Sequence, residues 1–140
     1  MNWDFEPSMY ALAVCNNQAK IFEDIQDIYE KDAIDFITKF MQSEVAERMG
    51  IGITAFNNTG SKQLGEYFLS ITNDILPLTQ NRYIAALSWM GYMYRYWAWM
   101  GMPSKEIINI APAEKAYMLY GGYHTLDIQE AVRLLIQRKQ

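Results

Sequence analysis

The stretch Tyr83–Met102, YIAALSWMGYMYRYWAWMGM, decides how this chain of 140 residues is read. Its twenty residues carry one charge, Arg95, over the length that a bilayer requires. The composition argues against hydrocarbon. Only Ile84 and Leu87 are branched aliphatics, whereas Tyr83, Trp89, Tyr92, Tyr94, Tyr96, Trp97 and Trp99 favour an interface. Arg95 would also cost about 2.5–3.5 kcal/mol at mid-membrane. The stretch therefore predicts a buried helix from about Asn81 to Met100, ended by Gly101 and Pro103. Tyr83, Leu87, Met90, Tyr94 and Trp97 form one stripe, and Trp89, Met93, Tyr96 and Met100 the next. A helix that is apolar all round is covered on most sides. Arg95 must then reach the surface or find a carboxylate or carbonyl partner, because an unpaired buried charge is expensive.

The flanking segments also read as helices. Apolar residues recur at helical spacing from Ser8 to Glu30, with Ser8 placed to cap. Asp32 caps a second helix, Ser43 opens a third that Gly50 stops, and Ser61 caps a fourth through Leu64, Tyr67, Phe68 and Ile71. The segment Ile51–Gly60 reads as the strongest loop, with a short extended piece as its alternative. Beyond the aromatic helix, Ser104 begins a short helix and Pro112 opens another as its first residue. Gly121-Gly122 breaks that helix. Asp127 and Glu130 have the spacing of a capping box for the last one. No segment alternates as a strand. The prediction is all-α: a single-domain helical bundle over residues 1–140, of about six or seven helices around a long aromatic central helix.

Composition removes several functions. One Cys excludes a disulfide framework and a cysteine-rich zinc site, and one His excludes any motif needing two imidazoles. No Glu or Asp stands three residues before that His, as a di-iron bundle would require. No phosphate loop is present, so neither metal nor cofactor is predicted. A net charge of −4 argues against nucleic acid as a partner. Residues 1–7 have neither a basic start nor an apolar run, and Cys15 is free, so a cytoplasmic protein is expected, with no membrane partner. Six acids lie between Glu23 and Asp35 with only Lys31 to balance them. They read as a solvated face or as an acidic rim (Glu23, Asp24, Asp27, Glu30) that meets a basic partner.

Chemistry finds little foothold. Cys15, His124 and Asp127 are the only available thiol triad, and nothing places Cys15 beside a base. His124-Thr125-Leu126-Asp127 reads first as a helix junction. A small helical hydrolase or transferase using His124 and Asp127 is the enzymatic alternative. The string Tyr94-Arg95-Tyr96-Trp97, then Ser104-Lys105-Glu106-Ile107, then Tyr120 and His124-Thr125-Leu126-Asp127, resembles the tail of a group of small helical bacterial proteins. That group is associated with toxin–antitoxin-type gene pairs, and the resemblance covers about residues 90–136. It implies a partner protein, an ADP-ribosyltransferase-like toxin, that this chain would neutralise by occlusion. The expected binding residues are Arg95, Tyr96, Trp97, Trp99, Ser104, Lys105, Glu106, His124, Thr125 and Asp127. Trp, Tyr, Met and Arg are the residues enriched in interface cores. A phage-encoded blocker of a host defence protein is a second binding reading, and a homodimer through the same aromatic face is a third use of it.

Overall fold

Ser8 begins the first helix: its Oγ accepts the Ala11 amide at 3.1 Å, satisfying one of the free donors of the opening turn. A computed structural model describes residues 1–50 and 60–139. Among them the chain forms eight helices, α1 (Met9–Asp27), α2 (Ala33–Met41), α3 (Glu44–Gly50), α4 (Ser61–Ile71), α5 (Ile84–Trp99), α6 (Ser104–Ile110), α7 (Ala113–Tyr123) and α8 (Ile128–Lys139). The expected all-α bundle is what folds, with one or two helices more than expected. The loop predicted over Ile51–Gly60 lies outside the described residues, apart from Gly60.

The predicted caps act where they were placed, with exceptions. Asp32 Oδ1 accepts the Asp35 amide at 2.9 Å, and Ser43 Oγ accepts the Ala46 amide at 3.4 Å. Asp127 Oδ2 accepts the Gln129 amide at 3.1 Å. Glu130 does not complete a box there; it lies 3.7 Å from Arg133 instead. Ser61 is the first residue of α4 and not its cap, a place that Gly60 takes in an extended conformation. Pro112 likewise stands just outside α7. Gly121 and Gly122 do not break α7, which runs on to Tyr123. Two helical glycines cost about 1 kcal/mol each. The rings on either side offset this: Tyr120 stacks on His124 at 4.3 Å and meets Trp89 at 5.9 Å, and Tyr123 packs against the core.

The core has two parts. At one end Phe22 from α1, Phe36 and Phe40 from α2 and Phe68 from α4 pack ring on ring, with centroids 5.1–6.0 Å apart. Each is fully buried or nearly so. The connection between α1 and α2 is clipped to the segment before α5: the Asp32 amide donates to Leu76 O at 2.9 Å and the Leu78 amide to Glu30 O at 3.1 Å. Asp35 Oδ2 also accepts the Leu76 amide at 2.8 Å. The other part is α5 lying along α1. Gly91 permits the approach, since a Cβ there would stand 2.7 Å from Gln18 O and 2.8 Å from Ala19 Cα. The predicted inner stripe is inside: Leu87, Met90, Tyr94 and Trp97 are fully buried, while Tyr83 precedes the helix and is exposed. Gly101, at φ 116°, turns the chain after α5. No helix among the described residues is long and apolar enough to cross a membrane.

Candidate functional site

Where α5 passes α1 and α3, its one charge meets a single side chain able to receive it. Gln18 Oε1 accepts Arg95 Nε at 3.0 Å and Nη2 at 2.7 Å. Nη2 also donates to Ala46 O at 3.0 Å, while Gln18 Nε2 donates to Gly91 O at 2.9 Å. Arg95 and Gln18 are both wholly buried. The expectation that Arg95 would find a partner holds, and the partner is a neutral amide. No ion pair among the described residues includes Arg95. Its Nη1, which carries two N–H donors, has no acceptor among the described residues. Burial lowers the Arg95 pKa to about 10, so the group stays cationic at neutral pH.

The same arginine forms part of the wall of a pocket of about 260 Å³ between α3, the end of α5 and the start of α6. Glu47, Ala98, Met102, Pro103 and Ser104 complete most of that wall. Arg95 and Ser104, both predicted, are thus brought together. Ser104 is only 4% exposed. Lys105 and Glu106 face solvent on the first turn of α6.

The other expected binding residues separate. Trp97 is 0% exposed, so neither it nor Arg95 presents a surface to a protein; they are core. For Arg95, one turn on from Gly91, the reason is the missing Cβ of that glycine, which lets α1 close over this side of α5, while Trp97 belongs to the main apolar cluster. Tyr96 and Trp99 are half-buried beneath the first ten residues, with Phe5 edge-on to Tyr96 at 5.4 Å and Tyr10 edge-on to Trp99 at 6.3 Å. His124, Thr125 and Asp127 lie exposed at the junction of α7 and α8. His124 Nδ1 is 2.7 Å from Tyr120 O, and no carboxylate from the first half of the chain bonds the ring among the described residues. In the acidic rim, Glu30 and Asp27 are exposed, Glu23 is half-buried, and Asp24 is 7% exposed beside Lys20 Nζ at 3.2 Å. Asp24 therefore belongs to the packing of α1 more than to a rim.

Cys15 is buried, and burial pushes its thiol up to about 12, the opposite of a nucleophile. No group of three or more His, Cys, Asp or Glu that could hold a metal occurs among the described residues.

The sequence reading missed the surface role of the first ten residues. Met1, Trp3, Met9 and Tyr10 are 44%, 36%, 89% and 42% exposed. The segment before α1 is tied to the end of α5 and to α8: the Asn2 amide donates to Met100 O at 2.7 Å, Gln129 Nε2 donates to Phe5 O at 2.9 Å, and the Arg133 guanidinium lies 4.7 Å over the Trp3 ring. Met1 and Trp3 precede the Ser8 cap, where helical periodicity offers nothing to read, and Met9 and Tyr10 stand exposed on the first turn of α1. No family model, curated protein or solved structure matches the chain.

Proposed function

We propose that the protein works by binding another protein, as an antitoxin- or immunity-type inhibitor that neutralises its partner by occlusion. The observation that carries the binding part is the exposure of Met1, Trp3, Met9 and Tyr10 in the segment that packs on Tyr96 and Trp99 through Phe5 and Tyr10. Trp, Tyr and Met are enriched in interface cores, and several large apolar side chains left in solvent within one short segment suit such a surface. The anchors are therefore the side chains of the first ten residues with the outer edge of α5, in place of Arg95 and Trp97. The class of partner, an ADP-ribosyltransferase-like toxin, follows from the resemblance over residues 90–136 alone.

Co-expression with the product of the neighbouring gene tests this. The expected result is relief of that product's toxicity and co-purification of the two chains. Trp3→Glu with Met9→Glu should abolish both while leaving the melting temperature nearly unchanged, because both side chains are exposed. A chain that stays free beside that product and gives no relief would sink the antitoxin form. Capture of a host defence protein through the same residues would assign the surface to the blocker reading.

A further inference from the structure

Arg95 is wholly buried, is hydrogen-bonded only to neutral groups among the described residues, and keeps Nη1 without an acceptor among them, beside a pocket that it helps to line. A buried cation without a bonded counter-charge is costly in solvation, and a buried donor without an acceptor adds to that cost. Folds normally resolve such a residue with a paired carboxylate; among the described residues none pairs with Arg95, Glu47 sharing the pocket wall without forming an ion pair with it. Cys15, the thiol near enough to feel the charge, stays neutral because burial raises its pKa.

We propose that this pocket is a binding site for a small monocarboxylate, whose charged end meets Arg95 Nη1 and the Ser104 hydroxyl. The site is independent of the protein-binding surface of the first ten residues. Three features fix the ligand class. First, one formal positive charge awaits compensation, and Glu47 in the same wall disfavours a second negative charge on the ligand. A phosphate dianion or a dicarboxylate is thereby selected against. Second, Nη2 and Nε are already engaged with Gln18 and Ala46, so the contact runs through Nη1 and is not the two-pronged fork of exposed arginines. Third, Ala98, Met102 and Pro103 make the rest of the wall apolar, which suits a short aliphatic or aromatic tail. At about 260 Å³ the pocket is below the usual range for drug-sized ligands, so it takes a smaller acid.

Titration of the full chain with butyrate and benzoate, followed by amide chemical shifts and by melting temperature, tests the site. Butyramide and inorganic phosphate serve as the uncharged and the doubly charged comparisons. The expected result is saturable butyrate binding that raises the melting temperature, with no response to butyramide and a weaker one to phosphate. Ala98→Leu, which fills the pocket without touching the arginine network, should weaken butyrate by about tenfold or more. Glu47→Gln, at an exposed position, should tighten it by about threefold or more at low salt and less at high salt. Arg95→Met should abolish binding; if that variant does not fold, the other two still decide. N-acetylalanine binding better than butyrate would assign the carboxylate to the terminus of a peptide. Equal binding of butyramide, tighter binding of phosphate, an unchanged affinity in Ala98→Leu, or no saturation at all would each overturn the proposal.

Discussion

Two buried regions of this molecule are equally dry and hold together for opposite reasons. The cluster of Phe22, Phe36, Phe40 and Phe68 contains no polar side-chain atom. Its stability is apolar area removed from water, with edge-to-face ring pairs adding about 0.5–1.5 kcal/mol each. The layer around Gln18 and Arg95 contains a charge, and its integrity depends on a few directed bonds. Losing a ring leaves a hole, and losing an acceptor leaves a buried charge alone. The first region is a core of the kind any bundle needs. The second is under-satisfied, with Arg95 Nη1 and the indole Nε1 atoms of Trp89, Trp97 and Trp99, all on one helix, lacking acceptors among the described residues. Such excess of donors over acceptors is what a stability-only core avoids.

The sharpest way to break the comparison is a pair of double-mutant cycles. Gln18→Leu should cost about 3–5 kcal/mol by isolating the buried guanidinium. Phe36→Ala should cost a similar amount, about 3–5 kcal/mol, by opening a cavity. The second substitutions separate them. Adding Arg95→Met to Gln18→Leu should recover much of the loss, since an apolar pair can replace a buried polar one nearly neutrally. Adding Phe68→Ala to Phe36→Ala should deepen the loss. Urea denaturation of the four single and two double variants measures both cycles, and recovery on the second substitution in both regions, or in neither, would erase the distinction.

Gly91→Ala ranks next, at about 1–3 kcal/mol, because its Cβ meets the backbone of α1 and not a side chain that can move aside. The expected readout is a lower melting temperature together with disturbed amide shifts at Gln18 and Ala19. An unchanged melting temperature would mean that α1 and α5 are less closely apposed than the Gln18–Arg95 bonds require.

The effect that is smallest near neutrality, where it vanishes, is that of pH. The Cys15 thiol is raised from its ordinary 9.0 to about 12 in the folded chain. Above pH 9 the unfolded chain gives up that proton and the native one keeps it, so the unfolded state binds fewer protons. Stability is then unaffected below pH 9 and falls as pH rises towards 12, by up to about 1.4 kcal/mol per pH unit. Tyr94, also raised by burial, acts in the same direction from pH 10 upward, while Arg95, lowered to about 10, acts in the opposite one. The difference in stability between the parent chain and Cys15→Ala from pH 9 upward isolates the thiol. Cys15→Ala should flatten the curve there, and an equally steep curve in that variant would assign the loss to another group.

Much of the fold was legible because its signals are local. Ser8, Asp32, Ser43 and Asp127 announce helix starts by chemistry confined to three residues, and the Leu87, Met90, Tyr94, Trp97 stripe follows from the helical repeat. Where local signals misled, packing had outvoted them. Gly121 and Gly122 are breakers by propensity, yet α7 continues through them because rings on both sides pack. The candidate site was legible in part. Arg95 stood out as the one charge in an apolar helix, and Ser104 fell within the quoted motif. Met1 and Trp3 did not stand out, because nothing in a segment without a period tells which way its side chains face, and Met9 and Tyr10 lie on the first turn of α1 outside its apolar stripe.

The sequence by itself determined an all-helical chain with one aromatic helix at its centre and a charge on that helix needing a partner. Both follow from periodicity and from the expense of burying a charge, which hold wherever the helix lies. Tertiary structure decided that the partner is Gln18, that Trp97 is core and Trp99 half-covered, and that Arg95 keeps a donor unused beside a pocket. Those outcomes depend on Gly91 letting α1 close on one side of α5 while α3 and α6 stop short on another. Distances between elements far apart in the chain set them, and no local pattern encodes those distances.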